Sequence, residues 1–397
     1  MMVANNVLDY PINVNKGDTV VVIVKNHLNV STSLHWHGLY QVDTPWMDGP
    51  GMVSQCLIQS GKTFTYKFNT GDQVGTYWWH AHSQSQYLAL EPVPDSGLIN
   101  GKGQCNCSII LSKQPQTKCV ANRPMTEFSV VKGKRYRLRF INMSAQAAFN
   151  VSIDGHSMKV IEQDASSQRY SVIVTADRDV GNYWFRATMM DMYTPTGTII
   201  RNGVNFSVAA IWRYQGAKRV NPTTIQQTSL PLDVFSLGEL NGMTENTIPA
   251  YNTSIYFQFT IAYDPATNKS ISPVTLLSET TNILGSVYKP PTKIPTLQDM
   301  LLGNPLPKSL NPIQVKNGWV FLQIRNTDNV EHVFHLHGHT FYVLGYGKIL
   351  HSPMDKMATP NSSLSTYPRR DAIQVPLCGG GQGGTGEVGC VPGFVNM

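Results

Sequence analysis

The sequence predicts an all-β protein of three related domains, and three observations support that class. Only 14% of residues are charged, while Gly, Pro and Tyr are plentiful, a balance that favours strands joined by turns over helices. One strand-like motif recurs three times along the chain. Its most basic copy alternates charged and apolar residues with the period of a half-buried strand.

The copies occupy residues 16–26, 132–142 and 316–326. Each has a turn glycine (Gly17, Gly133, Gly318), then a β-rich run, then an asparagine (Asn26, Asn142, Asn326) that can close the strand. They lie too far apart for a solenoid and so mark repeated domains. In the second copy Arg135, Arg137 and Arg139 alternate with Tyr136, Leu138 and Phe140, which puts the arginines on one wet face. That face accounts for the densest basic stretch, so the net charge of +6 is not read as a nucleic-acid footprint.

A length of 397 residues suits two or three domains. The first is expected over residues 1–95, closing near the turn-rich Pro92-Val93-Pro94-Asp95-Ser96-Gly97. The second is expected over 96–216, a Pro-, Thr- and Asn-bearing linker over 217–250, and the third over 251–397. A mean hydropathy of −0.18, with no apolar run near the roughly 20 residues of a spanning helix, describes a globular chain without a membrane span.

Six cysteines stand at 56, 105, 107, 119, 378 and 390, with no CxxC pairs at zinc-ribbon spacing. Cys378 and Cys390 bracket a glycine-rich loop and are expected to pair. Cys119 is expected to pair with Cys107 or Cys105, leaving Cys56 free. Asn-x-Ser/Thr sequons at Asn29, Asn106, Asn142, Asn150, Asn205, Asn252, Asn268 and Asn361 point to a secreted, glycosylated protein with disulfide bonds. The start, Met1-Met2-Val3-Ala4-Asn5-Asn6, lacks a basic n-region and an apolar h-region, which conflicts with that route.

The repeat becomes chemical nine residues past its asparagine. There the first copy has His35-Trp36-His37-Gly38 and the third His335-Leu336-His337-Gly338, while the second has Val151-Ser152-Ile153. A third pair, His80 and His82, follows Trp78-Trp79. Residues i and i+2 of a strand share a face, so each pair presents two imidazoles side by side. Imidazole-rich ligation suits copper or zinc better than magnesium or calcium, and six ligands exceed the needs of one tetrahedral ion. A polynuclear copper site shared between the first and third repeats is the expectation.

Several motifs carry a resemblance to the multicopper oxidases, the group of laccases, ascorbate oxidases and fungal ferroxidases. The first are His35-Trp36-His37-Gly38 with Trp46-Met47-Asp48-Gly49 and Gln55-Cys56. Next comes Gly75-Thr76-Tyr77-Trp78-Trp79-His80-Ala81-His82, and then His332-Val333-Phe334-His335-Leu336-His337-Gly338-His339. Asp154-Gly155-His156, Gln168 to Val174 and Pro368-Arg369-Arg370-Asp371 extend it over most of the chain. The resemblance implies three cupredoxin-like domains, each a Greek-key β-sandwich. It also implies an enzyme that oxidises a phenolic-type or metal-ion donor by single electrons and reduces O₂ to water at a trinuclear copper cluster.

By the same resemblance His35 and His335 bind the type 2 copper, His37, His80, His82 and His337 bind the type 3 pair, and His332 is the first type 1 ligand. Asp48 matches an acid that helps supply protons to oxygen, although an aspartate before glycine also suits an ordinary turn. Glu162 and Asp164 lie where related enzymes contact reducing substrates. His339 matches a histidine that is not a ligand, and a satisfied core role suits it and equally His27, His156 and His351. The family's His-Cys-His motif has no counterpart, since no histidine follows His351. The third domain is therefore expected to be incomplete and the type 1 site to retain His332 alone, and the first domain is expected to be incomplete because between Tyr87 and Glu91 the chain passes to what resembles the family's second-domain entry. That leaves a second reading, a non-catalytic copper-binding remnant.

Overall fold

The protein, described from a computed structural model, is 42% strand and 6% helix, as an all-β chain should be. The structure describes residues 3–4, 7–8, 11–83, 97–104, 107–113, 115–116, 118–121, 123–144, 148–164, 169–189, 207–227, 250–251, 253–259, 262–264, 269–271, 274–278, 291–306, 315, 317–326, 332–344, 347–349, 369–375 and 388–396. Two compact units form. One takes residues 1–13, 92–163 and 168–233, and the other takes 14–91, 164–167 and 234–397. No helix among the described residues is long and apolar enough to cross a membrane.

In the first unit the alternating second repeat forms the strand Arg135–Ile141. Its Tyr136, Leu138 and Phe140 pack on the core, while its arginines are exposed. It pairs antiparallel with Arg169–Thr175, at the edge of a three-stranded sheet completed by Met158–Asp164. A four-stranded sheet orders Glu127–Val130, Ser207–Tyr214, Asn182–Met189 and Phe149–Ile153. Val172 and Val174 of the smaller sheet meet Val130, Ile153, Phe185 and Trp212 of the larger in one buried cluster, which makes this unit a β-sandwich. Burying each such side chain contributes roughly 1.5–3 kcal/mol.

Two polar ties finish the unit. Asp154 receives Nε and Nη2 of Arg186 at 3.0 and 2.9 Å and the Thr224 hydroxyl at 2.7 Å, so residue 224, within the expected linker, is fastened to this sandwich. His156 bonds the Asp154 carbonyl and the Tyr214 hydroxyl, a satisfied core position. Cys107 and Cys119 form a disulfide, one of the two pairings left open for Cys119, and Cys56 of the second unit is a free, exposed thiol. The expected Cys378–Cys390 pairing lies outside the described residues.

In the second unit the first repeat forms Thr19–Lys25, paired antiparallel with Thr63–Asn69. Asn26 closes the strand: its Nδ2 donates to the carbonyls of Val30 and Ile58, and its Oδ1 accepts from the Leu28 amide. The third repeat forms Trp319–Asn326, inside a seven-stranded sheet between Thr253–Phe259 and Val388–Asn396. A short helix, Thr296–Leu301, joins early and late sequence, because the amides of Thr296 and Leu297 donate to the carbonyls of Met52 and Val53.

Candidate metal centre

The strand Leu34–His37 is buried at every position, with Leu34, His35, Trp36 and His37 at 4%, 0%, 4% and 3% exposure. Alternation then sorts its faces. Trp36 packs against Tyr66 and Phe68 of the core, and the Leu34 amide donates to the Tyr66 hydroxyl. His35 and His37 turn the other way. The partner strand Trp78–Ala81 runs antiparallel in a register that sets His35 opposite His80 and His37 opposite Trp78. His332–His335 pairs with Ala372–Val375 and brings His335 opposite Ala372, beside Asp371.

The six paired histidines converge. His35 lies within 5.7 Å, ring centre to ring centre, of His37, His80, His82, His335 and His337. His37 stacks on His335 at 3.7 Å with 13° between planes, and His82 lies 5.0 Å from His337. His35 Nε2 and His335 Nε2 are 3.2 Å apart although 300 residues separate them in sequence.

Oxygen acceptors fix which nitrogen faces inward. Nδ1 of His35 lies 2.8 Å from the Asp48 carbonyl, Nδ1 of His335 2.8 Å from the Asp371 carbonyl, and Nδ1 of His80 2.9 Å from the Ala81 carbonyl. A carbonyl only accepts, so each Nδ1 carries the hydrogen and each Nε2 keeps its lone pair. His337 Nδ1 donates in the same way to Asp48 Oδ2 at 2.8 Å. This is the outer support typical of metal-binding histidines. Gly49 enables part of it. With φ at +101° it lets the loop after Asp48 press on the histidine strand so closely that an added Cβ would meet the Leu34 carbonyl oxygen at 1.7 Å.

Charge agrees with tautomer. Burial pushes His80 down to about 3, and the neighbouring His35, His37 and His82 lower it further against an opposing bond to the Ala81 carbonyl. Burial and the nearby His337 and His35 bring His82 to about 4, and burial with His37 and His337 brings His335 to about 2. His337 is lowered as well, chiefly by burial. Burial alone would raise the Asp48 carboxyl, but hydrogen bonds from His337 and His35 outweigh it and hold Asp48 well below the usual carboxylate range.

The donor set fits copper. His35, His37 and His80 have ligand atoms mutually within 4.8 Å, as do His35, His335 and His337, and so do His37, His335 and Asp371. Two nitrogens about 2 Å from one ion lie no more than about 4 Å apart, a limit the His35–His335 pair meets. Imidazoles that far outnumber the two nearby carboxylates, Asp48 and Asp371, are borderline-soft ligands of the kind that suit copper.

Two contributors were not singled out from sequence. Asp371 is buried, supplies the carbonyl that orients His335, and has Oδ1 3.6 Å from His37 Nε2. Trp78 stands 5.1 Å from the His37 ring and 4.4 Å from the His80 ring. Alternation was the available signal for Trp78, since Trp78 and His80 share a strand face. Glu162 belongs to the first unit, where Arg137 and the Ser171 hydroxyl both donate to its Oε2. The side chains of His332 and Asp164 lie outside the described residues. His339 Nδ1 donates to the His337 carbonyl, and His27, expected as a core histidine, is instead exposed.

Comparison with known proteins supplies the ancestry. Multicopper oxidase family profiles match residues 1–90, 72–167 with 165–217, and 286–382. A laccase of Phlebia radiata is 32% identical over 404 residues, covering 83% of this chain and 71% of its own. Laccase-2 of Pleurotus ostreatus is 33% identical over 403 residues, covering 83% and 69%. Among solved structures, a laccase from Botrytis aclada shares the fold with TM-score 0.73 and 24% identity, over 96% of this chain and 75% of that one. Fet3p, a multicopper oxidase that functions in iron import, shares it with TM-score 0.65 and 21% identity, over 95% and 78%. Identity near one third, held across most of both lengths, marks common descent, and the chain belongs to the multicopper oxidase family.

Proposed function

We propose that this chain acts as a laccase-like oxidase that takes single electrons from a phenolic-type or metal-ion donor and reduces O₂ to water at a copper cluster held by six histidines. Membership of the family implies copper-dependent oxidation with O₂ as acceptor, and the finer assignments are ours. His35 and His335 would hold the type 2 ion, and His37, His80, His82 and His337 the type 3 pair. His332 would begin a type 1 site. Copper supplies the one-electron chemistry when bound.

One observation carries this function. His35 and His335 come from opposite ends of the sequence, each has Nδ1 pinned to a backbone carbonyl, and their Nε2 atoms face each other at 3.2 Å. Two lone pairs so placed repel unless a cation lies between them. Burial disfavours a shared proton at His335, which leaves a metal ion as the cation that suits.

The surrounding residues orient and insulate. Asp48 fixes His35 through its carbonyl and His337 through its carboxylate. Because it is held ionised, any proton Asp48 passes to reduced oxygen must first be taken up from solvent. Trp78 walls one side of His37 and His80. The exposed Asn29 sequon and the Cys107–Cys119 disulfide support an extracellular setting.

Oxygen uptake by copper-loaded protein tests the reading, with a phenolic donor and Fe²⁺ supplied separately. Uptake should require copper and at least one donor, and His335→Ala should lower it by at least about 100-fold, the upper range even for outer support of a metal ligand. Copper retained without uptake would favour the non-catalytic reading instead. Protein that takes up no copper would overturn both.

A further inference from the structure

The histidine centre joins residues 14–91 to residues 234–397 within one compact unit, and at its heart the joint consists mainly of imidazoles. In the metal-free protein facing Nε2 lone pairs make that a poor glue. A second joint lies at the rim. Arg369 Nε donates to the Thr340 hydroxyl oxygen at 2.6 Å, and Arg369 Nη2 donates to the Tyr40 hydroxyl oxygen at 2.8 Å. Those two oxygens are themselves 3.4 Å apart. One planar guanidinium thus grips two hydroxyls from segments 300 residues apart in sequence, a grip that the single-point ammonium of lysine cannot reproduce.

Each arm of this knot leads to a site histidine by a short, bonded path. Tyr40 follows His37 by three residues. Gln73 braces the turn between them, accepting from the Tyr40 amide at 2.7 Å and donating to the Gly38 carbonyl at 2.9 Å. Thr340 follows His337 by three residues, across a turn in which His339 bonds the His337 carbonyl. Arg369 precedes by two residues Asp371, whose carbonyl accepts both His335 Nδ1 and the Leu336 amide. The two segments also touch at Gly338, where φ is +69° and an added Cβ would lie 3.4 Å from the Tyr40 carbonyl oxygen.

We propose that Tyr40, Thr340 and Arg369 are positioning residues: a polar clasp that holds the His37 segment against the His335–His337 segment, so that the ligand nitrogens are gathered before metal arrives. The clasp touches no ligand nitrogen. It acts by restricting the backbone on which His37, His335 and His337 ride, and a pre-arranged site loses less freedom on binding. This rests on the copper reading of the histidine centre, and the two can fail separately.

The test compares Thr340→Val, which keeps shape and removes the hydroxyl, with Thr340→Ser, which keeps the hydroxyl, and with Arg369→Met. Copper-loaded full-length proteins are challenged with a chelator, and Cu(II) electron paramagnetic resonance is recorded. Thr340→Val and Arg369→Met should release copper about tenfold faster, within the range measured for outer support of metal ligands, and should alter the Cu(II) spectrum. Thr340→Ser should behave as the parent. Hydrogen–deuterium exchange on the copper-free proteins is the second arm, and Thr340→Val should speed exchange in both 38–41 and 336–340. Parent-like release, spectra and exchange in Thr340→Val would overturn the clasp. If the parent itself takes up no copper, the copper reading fails, and the exchange arm still decides whether the clasp holds the two segments.

Discussion

At the scale of single residues, the centre depends on imidazoles that stay neutral. His80, His82, His335 and His337 all sit below the ordinary imidazole value of 6.5 in the folded protein, the first three at about 3, 4 and 2. Burial is the main cause in each. In the unfolded chain they take up protons near 6.5, so between that value and the folded ones the unfolded state holds more protons. Stability of copper-free protein is then full above about pH 6.5 and lost as pH falls toward 4. Asp48 has its own window lower still, where its hydrogen-bonded carboxylate would be protonated. Melting of copper-free protein should therefore fall by at least about 5 °C between pH 7 and pH 5. A melting temperature flat or rising over that interval would contradict the neutral cluster. The paired histidines were legible in sequence because i, i+2 spacing fixes a common strand face. Arg369 and Tyr40 were not, since 329 residues separate them and only the fold brings them within 2.8 Å.

At the scale of elements, the strand Leu34–His37 has two duties. Leu34 and Trp36 anchor it in the core, while His35 and His37 present to the centre. Its alternating pattern showed both faces in advance, and so did the repeated strands that became Thr19–Lys25, Arg135–Ile141 and Trp319–Asn326. Register was not readable: nothing in either strand alone says that His35 stands opposite His80. The loop through Gly49 shows how tightly the strand is held. Gly49→Ala adds a Cβ into the Leu34 backbone at a left-handed φ and should cost about 3 kcal/mol or more in chemical denaturation, with weakened copper retention. Gly17→Ala is the control, since Gly17 also has a positive φ but an added Cβ would meet nothing within 4 Å, and about 1 kcal/mol is expected. Equal costs at the two positions would mean that the loop yields freely and does not position Asp48.

At the scale of the whole molecule, three domains were read in order along the sequence, and the stretches that carry the first and third repeats lie in one compact unit. The physical reason lies in the histidines. Residues 14–91 and 234–397 are drawn into one unit by the imidazole cluster, the Arg369 clasp and the helix Thr296–Leu301 on the loop at Met52 and Val53. The second repeat carries Val151-Ser152-Ile153 where the others carry histidines, and it builds the separate sandwich around Trp212. Sequence spacing could suggest that the first and third repeats share a site, but not that sharing it merges their surroundings. Histidines from the two ends of the sequence are proposed to hold copper together. Anomalous diffraction at the copper edge, from crystals of copper-loaded protein, tests this most directly. Peaks are expected about 2 Å from the imidazole nitrogens of His35 and His335, with further density among His37, His80, His82 and His337. Copper bound elsewhere, or beside only one of the three pairs, would contradict it.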